Sequence, residues 1–384
     1  MRTFVIVHNI PSPYRIHLFS AMHRELARRG VAFHAHFMSR GHVERPDSWR
    51  GVEIPFPHTY WNDYGPRLKG IEFHFNPGLI FHLRNQSPAD FLVLCAPWSI
   101  PTGVINSLVA KRRNSIIWIE VNTKTPGRIH GLIANYKRFI LRQFNFVAIP
   151  GKEGRDYLDR LYGQSCNTKP TPVVLPNVVD ETRFRPRGTY PPEVLTALRR
   201  KFGFQADEPV AICPARLIPV KGLQEYFSAI SPGMLNNWKI LIIGDGPLAV
   251  NFSAQIVLQG YADRVCIHSS VPYEQMPAVY AMADLFMLPS LSDINPLSVV
   301  EAMHSGLPLL LSNRVGNFPE ALAEGINGWG FDPGHAEDVR RASSQAFSTA
   351  PKQMRHMGAM SSGRANMFWS TTQVVQNFLD SVGI

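Results

Sequence analysis

No run of apolar residues in this chain of 384 reaches the roughly 18 that a bilayer-spanning helix requires, so no such helix is expected. Cysteine is scarce. The four (Cys95, Cys166, Cys213 and Cys266) are scattered, and three lie inside apolar runs. That is the pattern of buried free thiols in a reducing compartment, not of a disulfide framework or a metal cluster, and it points to the cytoplasm. The opening MRTFVIVHNIPSPYR places one Arg before a short apolar run that ends in prolines, which reads as a first strand rather than a signal peptide. No full G-x-G-x-x-G occurs, so no dinucleotide cofactor is indicated. No D-x-D follows a strand, so no metal is expected. Acidic residues are short in the first half. Residues 1–190 hold 26 Lys and Arg against 13 Asp and Glu, while residues 191–384 hold 13 against 16, giving a net +10 overall. A basic half calls for an anionic partner: a membrane surface, a polyanionic acceptor or nucleic acid. Nucleic acid is disfavoured because no recognition motif or aromatic-interleaved basic run accompanies the charge.

What is present is ordinary globular material, 45% hydrophobic and 18% charged, at a length for which two domains are the default. In the first half, FVIVHN, FHAHFMS, FLVLCA, SIIWIEV, NFVAIPG and PVVLPN are short apolar runs of the kind that form strands buried on both faces. Helical spacing separates them: from Ser12-Pro13 to Gly30, from about 102 to 111, and from about 129 to 143. This is a doubly wound parallel sheet, whose ligands bind at the C-terminal strand ends. Three such ends carry candidate residues. HNIPSPYR offers Arg15, SIIWIE ends on Glu120, and WSIPTG presents Trp98 for stacking on a sugar. The alternatives are a surface Arg, a solvated acid and a half-buried loop Trp, the last being the commoner case for such a Trp. The segment His130–Phe144 is basic and amphipathic, suited either to lying on an anionic bilayer or to packing an apolar stripe on the sheet with its basic residues in water. RPRGTYPPE, rich in Pro and polar residues, is the expected linker.

The second half turns on SLSDINPLSVVEAMHSGLPLLLSN. DLFMLPS reads as a buried strand, Asn295-Pro296 as a helix start, Gly306 and Pro308 as its stop, and LPLLLS as the next strand. A helix N-terminus attracts phosphate through free N–H groups and the dipole. Glu301, inside the helix, can accept from two ribose hydroxyls. Asp293, in the loop before it, can hold sugar hydroxyls. Upstream, Arg216 and Lys221 follow the strand in PVAICPARLIPVKG. Two cations converging there would neutralise a diphosphate and stabilise it as a leaving group. The same residues also permit a plain capped helix with solvated charges. KILIIGDGPL runs a strand into Gly244-Asp245-Gly246, a close backbone approach or a mere turn.

These pieces, in this order, resemble the E-x7-E, "GRL-x-x-x-KG" and "PNGVD…F" segments of the retaining, GT-B-fold, nucleotide-sugar glycosyltransferases of family four, the group 1 glycosyltransferases. Asp293 stands where the first Glu usually does, and Ile294 where many relatives have Gly. The resemblance implies two Rossmann-like domains facing across a cleft, 1–185 on the acceptor side and 186–368 on the donor side, with a closing helix at about 369–384 returning to the first. It implies donor contacts at Gly244, Asp245, Gly246, Ser270, Val271, Asn295, Pro296, Leu297 and Glu301. Arg216, Lys221, Asp293 and Glu120 would be at the chemistry, and Pro13, Tyr14, Arg15 and Trp98 on the acceptor side. The implied activity is metal-independent transfer of a sugar, with retention, to a glycan or lipid-linked glycan in cell-surface polysaccharide synthesis, in the cytoplasm or peripherally on the inner membrane face. The competing readings are a sugar-nucleotide epimerase, a non-catalytic protein of the same fold, and a polyanion-binding protein.

Overall fold

A computed structural model describes residues 2–41, 53–68, 71–85, 90–95, 98, 100–109, 114–124, 129–163 and 169–384. Cys166, and the helix expected between 102 and 111 beyond Val109, lie outside the described residues. The chain divides into two compact units, residues 1–178 with 371–384, and residues 179–370.

In the first unit seven strands form one sheet in the order His58–Tyr60, Ala32–Phe37, Thr3–His8, Phe91–Cys95, Ser115–Trp118, Phe146–Ile149, Thr171–Val174. Every pairing is parallel. The central strands are apolar because helices cover both faces: Phe4, Val5, Ile6, Leu92, Leu94, Ile116 and Ile117 are all buried. Strand order reverses between Thr3–His8 and Phe91–Cys95, which is where such sheets open a crevice at their C-terminal edge. The closing helix Thr371–Ser381 belongs to this unit. It follows Ser370, whose extended ψ of 118° breaks it from the preceding helix Pro351–Trp369. Val374, Val375, Phe378 and Leu379 join the core, with Phe378 edge-on to Phe4. Arg29 Nη1 donates to Asp380 Oδ1 at 2.6 Å across the same seam.

The second unit has six parallel strands in the order Val265–His268, Lys239–Ile243, Val210–Pro214, Leu285–Leu288, Leu309–Ser312, Gly328–Phe331. Its switch point lies between Val210–Pro214 and Leu285–Leu288. The loops leaving those two strands, 215–222 and 289–296, are the ones that carry Arg216, Lys221, Asp293 and Asn295. Cys95 and Cys213 are buried free thiols, each pushed up to about 12 by burial, and so hold no thiolate at neutral pH.

Candidate functional site

The loop after Val210–Pro214 is fixed by glycine. Gly222 has φ +66°, and a Cβ there would come within 2.3 Å of the Pro289 carbonyl oxygen. Absence of that Cβ lets the two switch-point loops touch, and Leu291 N–H donates to Val220 O at 2.9 Å. The contact places Lys221 beside Asp293, and the two form an ion pair whose side chains are only 18% and 17% exposed. The sequence assigns Lys221 to the diphosphate and Asp293 to the sugar hydroxyls; the structure pairs them with each other. The Asp293 backbone is held as well, with N–H to Arg314 O and its carbonyl accepting from Gly316 N–H at 2.9 Å.

Gly244, Asp245 and Gly246 serve the same architecture. Added Cβ atoms would lie 2.1 Å from the Ala215 carbonyl oxygen and 2.3 Å from that of Leu217. The glycines therefore admit the backbone of the loop bearing Arg216. Leu217 N–H donates to Asp245 O at 2.9 Å. The Asp245 carboxylate accepts the Ser270 backbone N–H at 2.9 Å and is held below its usual range by its bonds to Ser270. Ser270, the neighbour of Val271, thus spends its N–H on Asp245. Arg216 itself is exposed, without an ion pair among the described residues.

The helix beyond Asp293 runs Leu297–His304, one residue later than the Asn295-Pro296 pattern suggests. Pro296 is the cap, with ψ 119°. Asn317 Nδ2 secures the loop by donating to Pro296 O at 3.0 Å. Glu301, half-buried, accepts from Tyr280 Oη at 2.6 Å. Burial pushes its carboxyl up to about 7, against the opposing pull of the Tyr280 hydrogen bond and of Arg183. Tyr280 and Arg183 are partners that spacing could not identify: they lie 21 and 118 positions from Glu301.

In the first unit, the Arg15 that looked like a surface residue is buried, 3% exposed. Its guanidinium lies over the Trp118 ring at 4.0 Å, and Nη2 donates to Glu120 Oε1 at 2.5 Å. Asn177 Nδ2 donates to the same oxygen at 2.7 Å. Glu120 itself remains 39% exposed, so the strand end presents a carboxylate fixed from behind. Burial, and then Arg15, depress His8 to about 3. His8 is therefore neutral, and its Nδ1 donates to Ile10 O. Pro13 opens the helix Pro13–Arg28, and Tyr14 lies against Arg15 at 5.0 Å. Trp98 receives Lys137 over its ring at 5.5 Å and gives its carbonyl to Tyr136 Oη at 3.2 Å. These residues, expected on the acceptor side, lie around the C-terminal edge of the first sheet.

Residues 196–360, the strands and loops just described, match the family model for glycosyl transferases group 1. Over this segment the chain is similar to the group 1 glycosyl transferases. The GDP-mannose-dependent alpha-(1-6)-phosphatidylinositol monomannoside mannosyltransferase of Mycolicibacterium smegmatis is 28% identical over 193 residues, covering 48% of this chain and 49% of that protein. The D-inositol 3-phosphate glycosyltransferase of Streptomyces griseus is 24% identical over 295 residues, covering 71% and 60%. The chain thus spans about half the length of the first of these relatives. Among solved structures, Anabaena HepE in complex with UDP and glucose superposes with a TM-score of 0.75 at 15% identity, covering 100% and 99% of the two chains. Sucrose-phosphate synthase from Thermosynechococcus elongatus gives 0.73, covering 98% and 97%. That likeness concerns fold, and it is the GT-B class of two parallel α/β units expected from the sequence. The matched segment contains every predicted donor residue from Arg216 to Glu301.

Proposed function

We infer that the chain is a glycosyltransferase that takes a sugar from a nucleoside-diphosphate sugar. The observation that carries this is the meeting of Lys221 and Asp293 where two switch-point loops touch, with Glu301 further along the helix that follows. Arg216 and two remaining donors of the Lys221 ammonium supply net positive charge for a diphosphate. The N–H groups at Leu297 add to it. Glu301, held by Tyr280, takes the ribose hydroxyls. Asp293 turns Lys221 toward the phosphates and contacts the sugar.

Stabilised in this way, the nucleoside diphosphate departs as the anomeric C–O bond breaks. The acceptor hydroxyl bonds to that carbon from the same face and gives its proton to the leaving phosphate oxygen, so configuration is retained and no metal is required. Glu120, fixed by Arg15 and Asn177, faces the acceptor side. The acceptor we propose is a glycan or lipid-linked glycan of cell-surface polysaccharide assembly, met at the inner face of the membrane. The phosphatidylinositol-linked substrate in the name of the mycobacterial relative supports a lipid-borne acceptor.

Thermal-shift titration with UDP, GDP and ADP sugars tests the donor site, and stabilisation by one series is expected. Nucleoside-diphosphate release that needs an added acceptor identifies transfer. Release without acceptor, together with an altered free sugar, would mean an epimerase instead.

A further inference from the structure

The helix Gly131–Leu141 reverses the arrangement expected of an amphipathic surface helix. Ala134, Ile140 and Leu141 face the core, yet its basic residues turn inward too. Lys137 Nζ donates to Tyr157 Oη at 2.8 Å, and Arg138 Nε donates to Leu161 O at 2.7 Å. The outward positions are apolar: Leu132 is 87% exposed and Phe139 53%, seven residues apart and so on one line of the helix, flanked by Ile133 and Tyr136 at 39% each. Of the two dispositions the sequence allows, this excludes an apolar stripe packed on the sheet with its basic residues in water. An uncovered stripe of this kind marks an interaction surface.

Charge and position identify the occupant. The first unit carries 23 Lys and Arg against 12 Asp and Glu, and residues 119–163 alone carry eight against four. Arg142, Lys152, Arg155 and Arg160 are exposed on this helix and on the helix Lys152–Tyr162 against it. The stripe also begins at the ligand-binding edge of the sheet, since Gly131 follows the loop that leaves Ser115–Trp118 and Tyr136 reaches Trp98. We propose that Leu132, Ile133, Tyr136 and Phe139 insert into an anionic lipid bilayer while the flanking basic residues contact its headgroups. This deepens the proposed lipid-linked acceptor, because it brings the acceptor edge of the first unit to the surface from which such an acceptor would be taken.

The full chain is sedimented with vesicles of phosphatidylcholine alone and of phosphatidylcholine with phosphatidylglycerol. Binding to the anionic vesicles at least about tenfold stronger than to the neutral ones, weakened by salt, is expected. The double variant Leu132→Glu with Phe139→Glu should lose at least about tenfold of that binding, and Arg142→Glu a smaller share. Both substituted apolar side chains are exposed, so an unchanged melting temperature and an unchanged shift with nucleotide sugar show that the fold survives. Equal binding of variant and wild type, or no preference for anionic vesicles, overturns the proposal. So does a wild-type dimer that the double variant converts to monomer, since the stripe would then cover a second copy of the chain. Vesicle binding without any nucleotide-sugar shift would sink the enzyme reading and leave the surface intact; the converse result would sink the surface alone.

Discussion

Glu301 should make donor binding depend on pH. Its carboxyl stands at about 7, against 4.5 for an ordinary glutamate, because burial penalises the charge more than Tyr280 and Arg183 restore it. Accepting hydrogen bonds from two ribose hydroxyls requires the ionised form. If only that form binds, the apparent dissociation constant scales with one plus the ratio of neutral to ionised carboxyl. With a midpoint of about 7, roughly one Glu301 in ten is ionised at pH 6 and about nine in ten at pH 8. A nucleotide sugar, whose diphosphate has no further ionisation in this interval, should therefore bind about tenfold more tightly at pH 8 than at pH 6. Isothermal titration calorimetry across that range checks it. Glu301→Gln should be flat with pH and weaker at pH 8, for want of a charge-assisted acceptor. Tyr280→Phe should keep the slope but move its midpoint to higher pH, because the lost hydrogen bond favoured the ionised form. The sign is diagnostic, since a histidine cation binding the diphosphate would weaken binding as pH rises. A flat wild-type profile, or a slope that persists in Glu301→Gln, would refute the reasoning.

Lys221→Ala and Arg216→Ala should each lower transfer by about 10²–10³-fold, measured as nucleoside-diphosphate release; wild-type turnover in either would remove the phosphate assignment. Gly222→Ala should cost about 1–3 kcal/mol in urea unfolding, through its φ of +66° and the Pro289 carbonyl in the way of a Cβ, and should weaken donor binding by moving Lys221 from Asp293. Arg15→Ala should cost about 2–3 kcal/mol, less than a fully buried pair because Glu120 reaches solvent, and tracks the loss of the Trp118 contact as well as the ion pair. His8 and His36 are both depressed to about 3, chiefly by burial. Their neutral forms are favoured in the folded state, so the stability they confer is complete above about pH 6.5 and declines as pH falls toward 3, by up to about 1.4 kcal/mol per pH unit for each. Urea midpoints measured down that range should show the decline, and a pH-independent midpoint would contradict it.

The sequence by itself determined the layers. Short apolar runs such as LFML and LLLS, bounded by turn residues, read as strands covered on both faces, and the helical spacing between them points to parallel sheets. It also offered Arg216, Lys221, Asp293 and Glu301, legible from residue type and order, as the residues on which to test the chemistry. Tertiary structure decided what those residues face. Lys221 and Asp293 are 72 positions apart, Arg15 and Glu120 are 105, and Tyr280 meets Glu301 only because adjacent elements of the same unit pack together. Helical periodicity shows that a helix has a face, but not which face the neighbouring helix leaves uncovered. The outward Leu132 and Phe139, and the inward Lys137 and Arg138, follow from the helix Lys152–Tyr162, where Tyr157 and the Leu161 carbonyl are placed to receive the charged groups. Charge can be counted along a chain, whereas the partner that neutralises it is set by folding, which brings distant residues within hydrogen-bond reach.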